Sequence, residues 1–147
     1  VKMIPKSLVI FGVLLGIASA EIYSSCGPNN TIVINEFQLN NCTESPCTIV
    51  RGTNLTFSIN ATVLRNLTKV QVRVKLTTAT WPFPLYQTSG NLCNSIPCPI
   101  AAGTAITSST TTLIPTNTLQ GTYTLIIEYV DEWGRVIFCI KIIFTVV

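Results

Sequence analysis

Asn54-Leu-Thr-Phe-Ser-Ile-Asn-Ala-Thr-Val63 alternates without a break: Leu55, Phe57, Ile59, Ala61 and Val63 are apolar, and Asn54, Thr56, Ser58, Asn60 and Thr62 between them are polar. Successive side chains of a strand point to opposite faces, so this stretch reads as a strand with one face in a core and the other in water. Val70, Val72, Val74 and Leu76 repeat the pattern against Gln71, Arg73 and Lys75. That predicts a second strand over Lys69–Thr78 beside the first, linked by Arg65-Asn-Leu-Thr68, with Arg73 and Lys75 on its solvated face. Two strongly apolar strands follow over Gly121–Val130 and Arg135–Val146, with Asp131-Glu-Trp-Gly134 as the hairpin turn. In the last of them Val136, Phe138, Ile140, Ile142, Phe144 and Val146 make one wholly apolar face, the mark of a strand in the centre of a sheet. Shorter strands are predicted over Thr31–Leu39, Thr48–Arg51 and Ala105–Ile114. No helical periodicity competes with them, so the fold class is all-β, a two-sheet immunoglobulin-like sandwich of about seven strands.

Ahead of these strands, Lys2 and Lys6 precede the apolar run Leu8–Ile17 and the small residues Ala18-Ser-Ala20. This is the pattern of a secretory signal peptide over 1–20, removed after Ala20. The run is shorter than the roughly 20 residues that a spanning helix needs. Residues 21–147 are then expected to form one domain with a substantial core. Without Lys2 and Lys6, seven basic side chains stand against six acidic ones. So few charges, with no Lys/Arg cluster, exclude nucleic acid as a partner and supply no polybasic run for anionic membranes. Charged residues make up 10% of the chain, against about 25% in an average globular protein. Threonine, serine and asparagine take their place, which suits sheets with hydroxyl-rich outer faces.

Six cysteines in an exported chain imply three disulfides, chosen from about fifteen possible pairings. Cys42-Thr-Glu-Ser-Pro-Cys47 and Cys93-Asn-Ser-Ile-Pro-Cys98 share one spacing, each with proline before the second cysteine, so each reads as a local staple. Cys26 is left for Cys139. A zinc site is the weaker reading, because neither pair has the tight spacing of a zinc knuckle and the chain has no histidine. Asn29, Asn54, Asn60 and Asn66 each begin an Asn-X-Thr glycosylation acceptor. Asn41 does so too but is crowded by Cys42. Asn54 and Asn60 fall on the wet parity of the first strand.

The absence of histidine also removes the commonest general base and the physiological pH switch. No G-x-S-x-G elbow and no phosphate-cradling glycine loop is present. Glu128, Asp131 and Glu132 are the one carboxylate cluster, and the hairpin turn accounts for them. No enzymatic activity, cofactor or metal is therefore expected. Trp81-Pro-Phe-Pro-Leu85 pins three large apolar residues between two prolines, which predicts an ordered loop at a sandwich edge, either a structural plug or a hydrophobic lip.

Taken in order, Ser25-Cys-Gly27, Cys42 through Cys47-Thr-Ile-Val-Arg-Gly52, Pro82-Phe-Pro-Leu85, Cys93 through Cys98-Pro-Ile100, Ile114-Pro115 and Phe138-Cys139 form a set of landmarks. The set resembles the ML lipid-recognition domain family, and within it the Niemann-Pick type C2 proteins, over essentially all of 21–147. The resemblance implies an immunoglobulin-like fold, the same three disulfides and a lipid pocket between the sheets. Members bind sterols, fatty acids or other lipids in secreted fluid or the lysosomal lumen, and some relatives carry small hydrophobic signals or serve immune lipid recognition. On this resemblance Phe83 matches the aromatic at the pocket mouth and Pro115 the proline of the facing loop. Thr116 and Gln120 stand where sterol carriers show an apolar residue and a tyrosine, which implies a more polar entrance.

The expectation is a secreted, glycosylated, monomeric lipid-binding and transfer protein, extracellular or in the lysosomal lumen. It would hold a sterol, a fatty acid or a similar hydrophobic molecule and exchange it with a membrane or receptor. Phe57, Ile59, Val72, Val74, Leu125, Ile127, Phe138 and Ile140 would line the cavity, with Phe83 and Leu85 at its mouth. Pro115 would lie beside them, and Thr116 and Gln120 would meet a polar head. The alternative is an immunoglobulin-like interaction module or an immune lipid-recognition co-receptor acting through surface contacts. What separates the two is whether dry space remains between the layers.

Overall fold

The structure, a computed structural model, describes residues 22–28, 30–40 and 42–147, with the backbone alone at 81–83. The stretch 1–20 expected to be a signal peptide lies outside the described residues, as do Asn29 and Asn41. Nine strands run through the described part: β1 (Ser24–Ser25), β2 (Ile32–Leu39), β3 (Cys47–Ile49), β4 (Asn54–Val63), β5 (Gln71–Thr78), β6 (Trp81–Asn91), β7 (Ala105–Leu113), β8 (Gly121–Val130) and β9 (Val136–Val146). One sheet has the order β1-β9-β8-β5-β6, with β3 added in parallel to β9, and the other has the order β2-β4-β7. The two form the expected sandwich.

Two expectations are corrected. β5 does not lie beside β4: β4 pairs with β2 and β7, and β5 with β6 and β8, so the two alternating strands belong to opposite sheets. Their connection crosses between the layers and is tethered midway, where Leu67 is buried and forms an isolated bridge with Ile100. Alternation alone cannot distinguish a neighbour in one sheet from a partner across the core, because both bury one face. The segment Trp81-Pro-Phe-Pro-Leu85 is the start of β6 rather than a loop. Proline is tolerated there because, among the described residues, β6 pairs only with β5, and a register break between Leu76 and Thr78 leaves residues 82–85 without partners on β5.

Large side chains close one side of the sandwich. Ile32 and Leu39 of β2 and Phe138, Ile140 and Ile142 of β9 are almost wholly buried, and Tyr23 meets Phe37 edge-on with ring centroids 5.4 Å apart. The outer face of the second sheet is laced by polar cross-strand pairs. Asn35 Nδ2 donates to Asn60 Oδ1 (3.0 Å) and Thr62 Oγ1 (2.8 Å), and the Thr56 and Thr111 hydroxyls are 3.0 Å apart. Among the acceptor asparagines, Asn54 is exposed, Asn60 donates its amide nitrogen to Thr107 Oγ1 (3.4 Å), and Asn66 accepts from the Ala102 N–H (2.8 Å). The disulfides are Cys26–Cys139, Cys42–Cys47 and Cys93–Cys98, with Cα atoms 5.1, 5.7 and 5.4 Å apart. Gly27 lets the chain approach β9 at the first bridge, since a Cβ there would sit 3.1 Å from that of Cys139.

The β8–β9 turn explains Asp131 and Glu132, whereas Glu128 lies on β8 and faces Arg73 and Lys75 of β5. Asp131, whose side chain is wholly buried, accepts from the N–H groups of Trp133 (3.0 Å) and Arg135 (2.9 Å), from Arg65 Nη2 (2.7 Å) and from Arg135 Nε (3.1 Å). Glu132 accepts from Arg65 Nη1 (3.0 Å) and from the N–H and hydroxyl of Thr68, each at 2.8 Å. The Trp133 ring lies against both guanidinium groups, 5.2 Å from that of Arg65 and 4.6 Å from that of Arg135. Burial by itself would raise the Asp131 carboxyl, but the two backbone N–H groups and the Arg135 side chain hold it below its ordinary range. Glu132 is lowered in the same way, with Thr68 and Arg65 outweighing burial.

A carboxyl lowered in the folded state stabilises the fold above its unfolded pKa of about 4, and that contribution fades as pH falls through the folded value. Thermal melts should therefore show little change in Tm between neutral pH and about pH 5, and a decline below about pH 4. Asp131→Ala should cost about 3 kcal/mol at neutral pH, because it removes one of the two carboxylate partners of Arg65 and leaves the N–H groups of Trp133 and Arg135 without their acceptor. The variant should also flatten the acid limb, and an unaltered acid limb would show that Asp131 does not carry it.

Candidate functional site

Residues opposite one another in an antiparallel pair share a face. On β4 and β7 the inward pairs are Leu55 with Thr112, Phe57 with Thr110, Ile59 with Ser108 and Ala61 with Ile106. On β5 and β6 they are Val72 with Gly90, Val74 with Thr88 and Leu76 with Tyr86, and on β8 the same rows continue through Leu125, Ile127 and Tyr129. Stacked sheets stand about 10 Å apart, a gap that large side chains fill and small ones cannot. Where β9 faces the core, Phe138 and Ile140 fill it. Where β6 and β7 face it, glycine, serine and threonine leave it open.

The result is a cavity of about 830 Å³ between the sheets. Its floor is Leu125, Ile127 and Tyr129 of β8 with Phe144 of β9, and its walls are the rows of β4, β5, β6 and β7 described above. At one end it reaches Leu113, Ile114 and Pro115, and at the other Asn91, Leu92 and Ser95. No Asp, Glu, Lys or Arg is among its lining residues. Gly90 marks the opening, since a Cβ built there would meet nothing within 4 Å. Among the described residues β6 pairs only with β5 and β7 only with β4, so two strand edges left unpaired by them border the mouth. Tyr86 (58% exposed) and Leu113 (60% exposed) both line the cavity and reach solvent, which makes them its apolar rim.

The expected site residues fall into three groups. Phe57, Ile59, Val72, Val74, Leu125, Ile127 and Pro115 are brought together around the cavity. Phe138 and Ile140 have inward parity but do not line it: their strand lies beyond β8, on the filled side, where Phe138 packs on Tyr129 with ring centroids 5.1 Å apart. Leu85 is half exposed and off the wall, because its neighbour Tyr86 takes the inward position opposite Leu76. The side chain of Phe83 lies outside the described residues. Thr116 and Gln120 are exposed in the loop between β7 and β8 and do not line the cavity; Thr116 instead sits over Gly52, at 3.0 Å from where a Cβ would be.

Hydroxyl-bearing residues that line the cavity include Ser108, Thr110 and Thr112 of β7, Thr88 of β6 and Tyr129 of β8, with Tyr86, Ser89, Ser95 and Thr111 besides. Parity with Ile127 could have singled out Tyr129. Ala105-Ile-Thr-Ser-Ser-Thr-Thr-Thr-Leu113 offered no such signal, because it is polar on both faces.

A sequence profile of the ML domain matches residues 21–146. The chain belongs to the ML domain family. A relative from Dictyostelium discoideum, provisionally named a phosphatidylglycerol/phosphatidylinositol transfer protein, is 29% identical over 142 residues, covering 92% of this chain and 94% of the relative. Among solved structures this ML domain is similar to a Niemann-Pick type C2 protein from the Japanese carpenter ant. That likeness has a TM-score of 0.72 at 17% identity and covers 86% of this chain and all of that one. It is also similar to chicken MD-1, solved in complex with lipid IVa, with a TM-score of 0.55 at 17% identity over 82% of this chain and 85% of the other. At such identities the two structures speak for the fold. The ML domain seen here has that fold.

Proposed function

We propose that this ML domain is a secreted carrier, extracellular or in the lysosomal lumen, that holds one lipid-like molecule between its sheets and passes it between membranes or to a receptor without chemical change. The observation that carries the reading is the 830 Å³ cavity, free of charged side chains and open along one side of the sandwich. Its volume falls within the range of about 300–1,000 Å³ typical of small-molecule sites. The names of the Dictyostelium relative and of the ant and chicken structures, a phospholipid transfer protein, a type C2 protein and a lipid complex, support the same reading.

Burying about 400 Å² of ligand hydrocarbon is worth roughly 10 kcal/mol gross. The cost of immobilising the ligand reduces this to micromolar or nanomolar affinity, a range that permits release. A guest slipping between β6 and β7 breaks no ladder hydrogen bond, because those edges are not paired with each other. Tyr86 and Leu113 give its path apolar surface at the mouth.

Titration of delipidated protein with a fluorescent sterol and a fluorescent fatty acid tests the proposal. Saturable one-to-one binding of at least one is expected. If neither saturates, the cavity is not a carrier site.

A further inference from the structure

A strand at the edge of a sheet presents unpaired N–H and C=O groups to any other strand, and proteins blunt such edges with charge, proline, bulges or short length. Among the described residues, every sheet edge of this sandwich but one carries such a device. β6 begins with Pro82 and Pro84, which have no N–H to offer. β2 carries the exposed Glu36 and a bulge between Ile34 and Glu36. At the far side of the larger sheet, β1 and β3 are two and three residues long. The exception is β7, Ala105-Ile-Thr-Ser-Ser-Thr-Thr-Thr-Leu113, which has nine residues without charge, proline or glycine. It follows β4 in unbroken register from Ala105 to Leu113. Every second residue of an antiparallel strand turns its N–H and C=O away from its neighbour, so roughly four residues of β7 present both groups on the side away from β4. Ser109 to Leu113 are all exposed, including Thr110 and Thr112, which face the cavity.

We infer that β7 pairs with β7 of a second copy of this chain, antiparallel about a two-fold axis at Ser109, joining the two β2-β4-β7 sheets into one continuous sheet. In that register Ser109 meets Ser109 of the second copy and Thr107 meets its Thr111 on the outer face, while Ser108 meets its Thr110 and Ile106 its Thr112 on the inner one. A second copy fits because this strand is its own complement. Its length matches, no like charges are brought together, and hydroxyls that both donate and accept stand opposite one another. Pairing uses up the one unprotected edge, so assembly closes at a dimer and does not run on into a fibre. This replaces the monomer expected from the sequence. Because β7 borders the cavity mouth, the second copy lies across it and brings the two mouths together. A bound lipid then leaves after the pair separates, a consequence that rests on the carrier reading, whereas the pairing does not.

Sedimentation velocity of the protein secreted by cells expressing the full chain, between micromolar and millimolar concentration, tests the pairing. A contact of one strand is small, so a reversible dimer that dissociates in the micromolar range is expected. Ser109 is exposed, points away from the cavity and meets its own copy at the axis. Ser109→Lys and Ser109→Glu should therefore each weaken the dimer by at least about tenfold with Tm unchanged, through like charges set face to face. Mixed in equal amounts, the two variants should pair again, because Lys and Glu then stand opposite each other, a rescue that mere damage to the fold would not give. Release of a bound fluorescent lipid should slow as wild-type concentration rises and stay constant in either variant alone. Protein that remains monomeric at millimolar concentration leaves the edge to some other chain and overturns the inference. So does a dimer that Ser109→Lys leaves intact, or lipid release that takes no account of dimerisation. Pairing that obeys the charge exchange in protein that takes up neither fluorescent lipid sustains the interface and overturns the carrier reading.

Discussion

Filling the cavity from both sheets, with Val74→Trp on β5 and Thr110→Phe on β7, should abolish lipid binding and leave the fold intact. The two positions line the cavity from opposite layers. Adding bulk to a well-packed core forces side chains off their rotamers and costs roughly 1–3 kcal/mol. Here the added rings enter space that no protein atom occupies, so the usual penalty is absent and new dispersion contacts are gained. The Tm of the double variant should equal or exceed that of the parent. Lipid affinity should fall at least about a hundredfold, equivalent to roughly 2.7 kcal/mol, since ligand and rings compete for one volume. Thermal melts paired with the fluorescent-lipid titration separate the two effects. A variant that melts like the parent and still binds lipid would place the ligand elsewhere.

The largest expected loss of stability comes from the bridge between Cys26 and Cys139. It joins residues separated by 113 positions, whereas the other two bridges each span five. In the chain-entropy model the long closure restricts the unfolded chain by about 4 to 5 kcal/mol and each short one by about 2 kcal/mol. Cys26→Ser with Cys139→Ser should therefore lower Tm by roughly 15 °C or more, a large share of the stability of a domain this size. Replacing either short pair should cost less than half as much free energy. Urea unfolding of the three paired-serine variants gives the ranking directly. A ranking in which a short bridge matters most would mean that native-state geometry, not loop closure, dominates.

Much of the sandwich was legible along the chain because burial leaves a period-two imprint. Asn54–Val63 and Gly121–Val130 stand where alternation places them. The cysteine spacing told local staples from the long closure because short loops bring their ends together at little cost. β6 escaped notice, since two prolines argue against a strand unless the strand is known to lie at an edge, and edges are defined by neighbours. β7 was visible as a strand, but its inner face was not, because Ser108, Thr110 and Thr112 look inward as readily as outward until a partner strand orients them.

The same division runs through the site. Parity marks which side chains of β4, β5, β8 and β9 turn inward, and it is a local property of each strand. Whether an inward side chain packs or lines a void depends on what stands across the gap, and that is set by strand order. Phe138 and Ile140 are packed because β9 lies one strand deeper than β8, whereas Leu125, Ile127 and Tyr129 face open space because small residues of β6 and β7 lie nearer the edge. Alternation, spacing and the lack of histidine were thus enough to define a disulfide-bonded β-sandwich without the usual catalytic groups. The size of the cavity and its open edge arise from pairing between residues far apart in the chain, which no local pattern encodes.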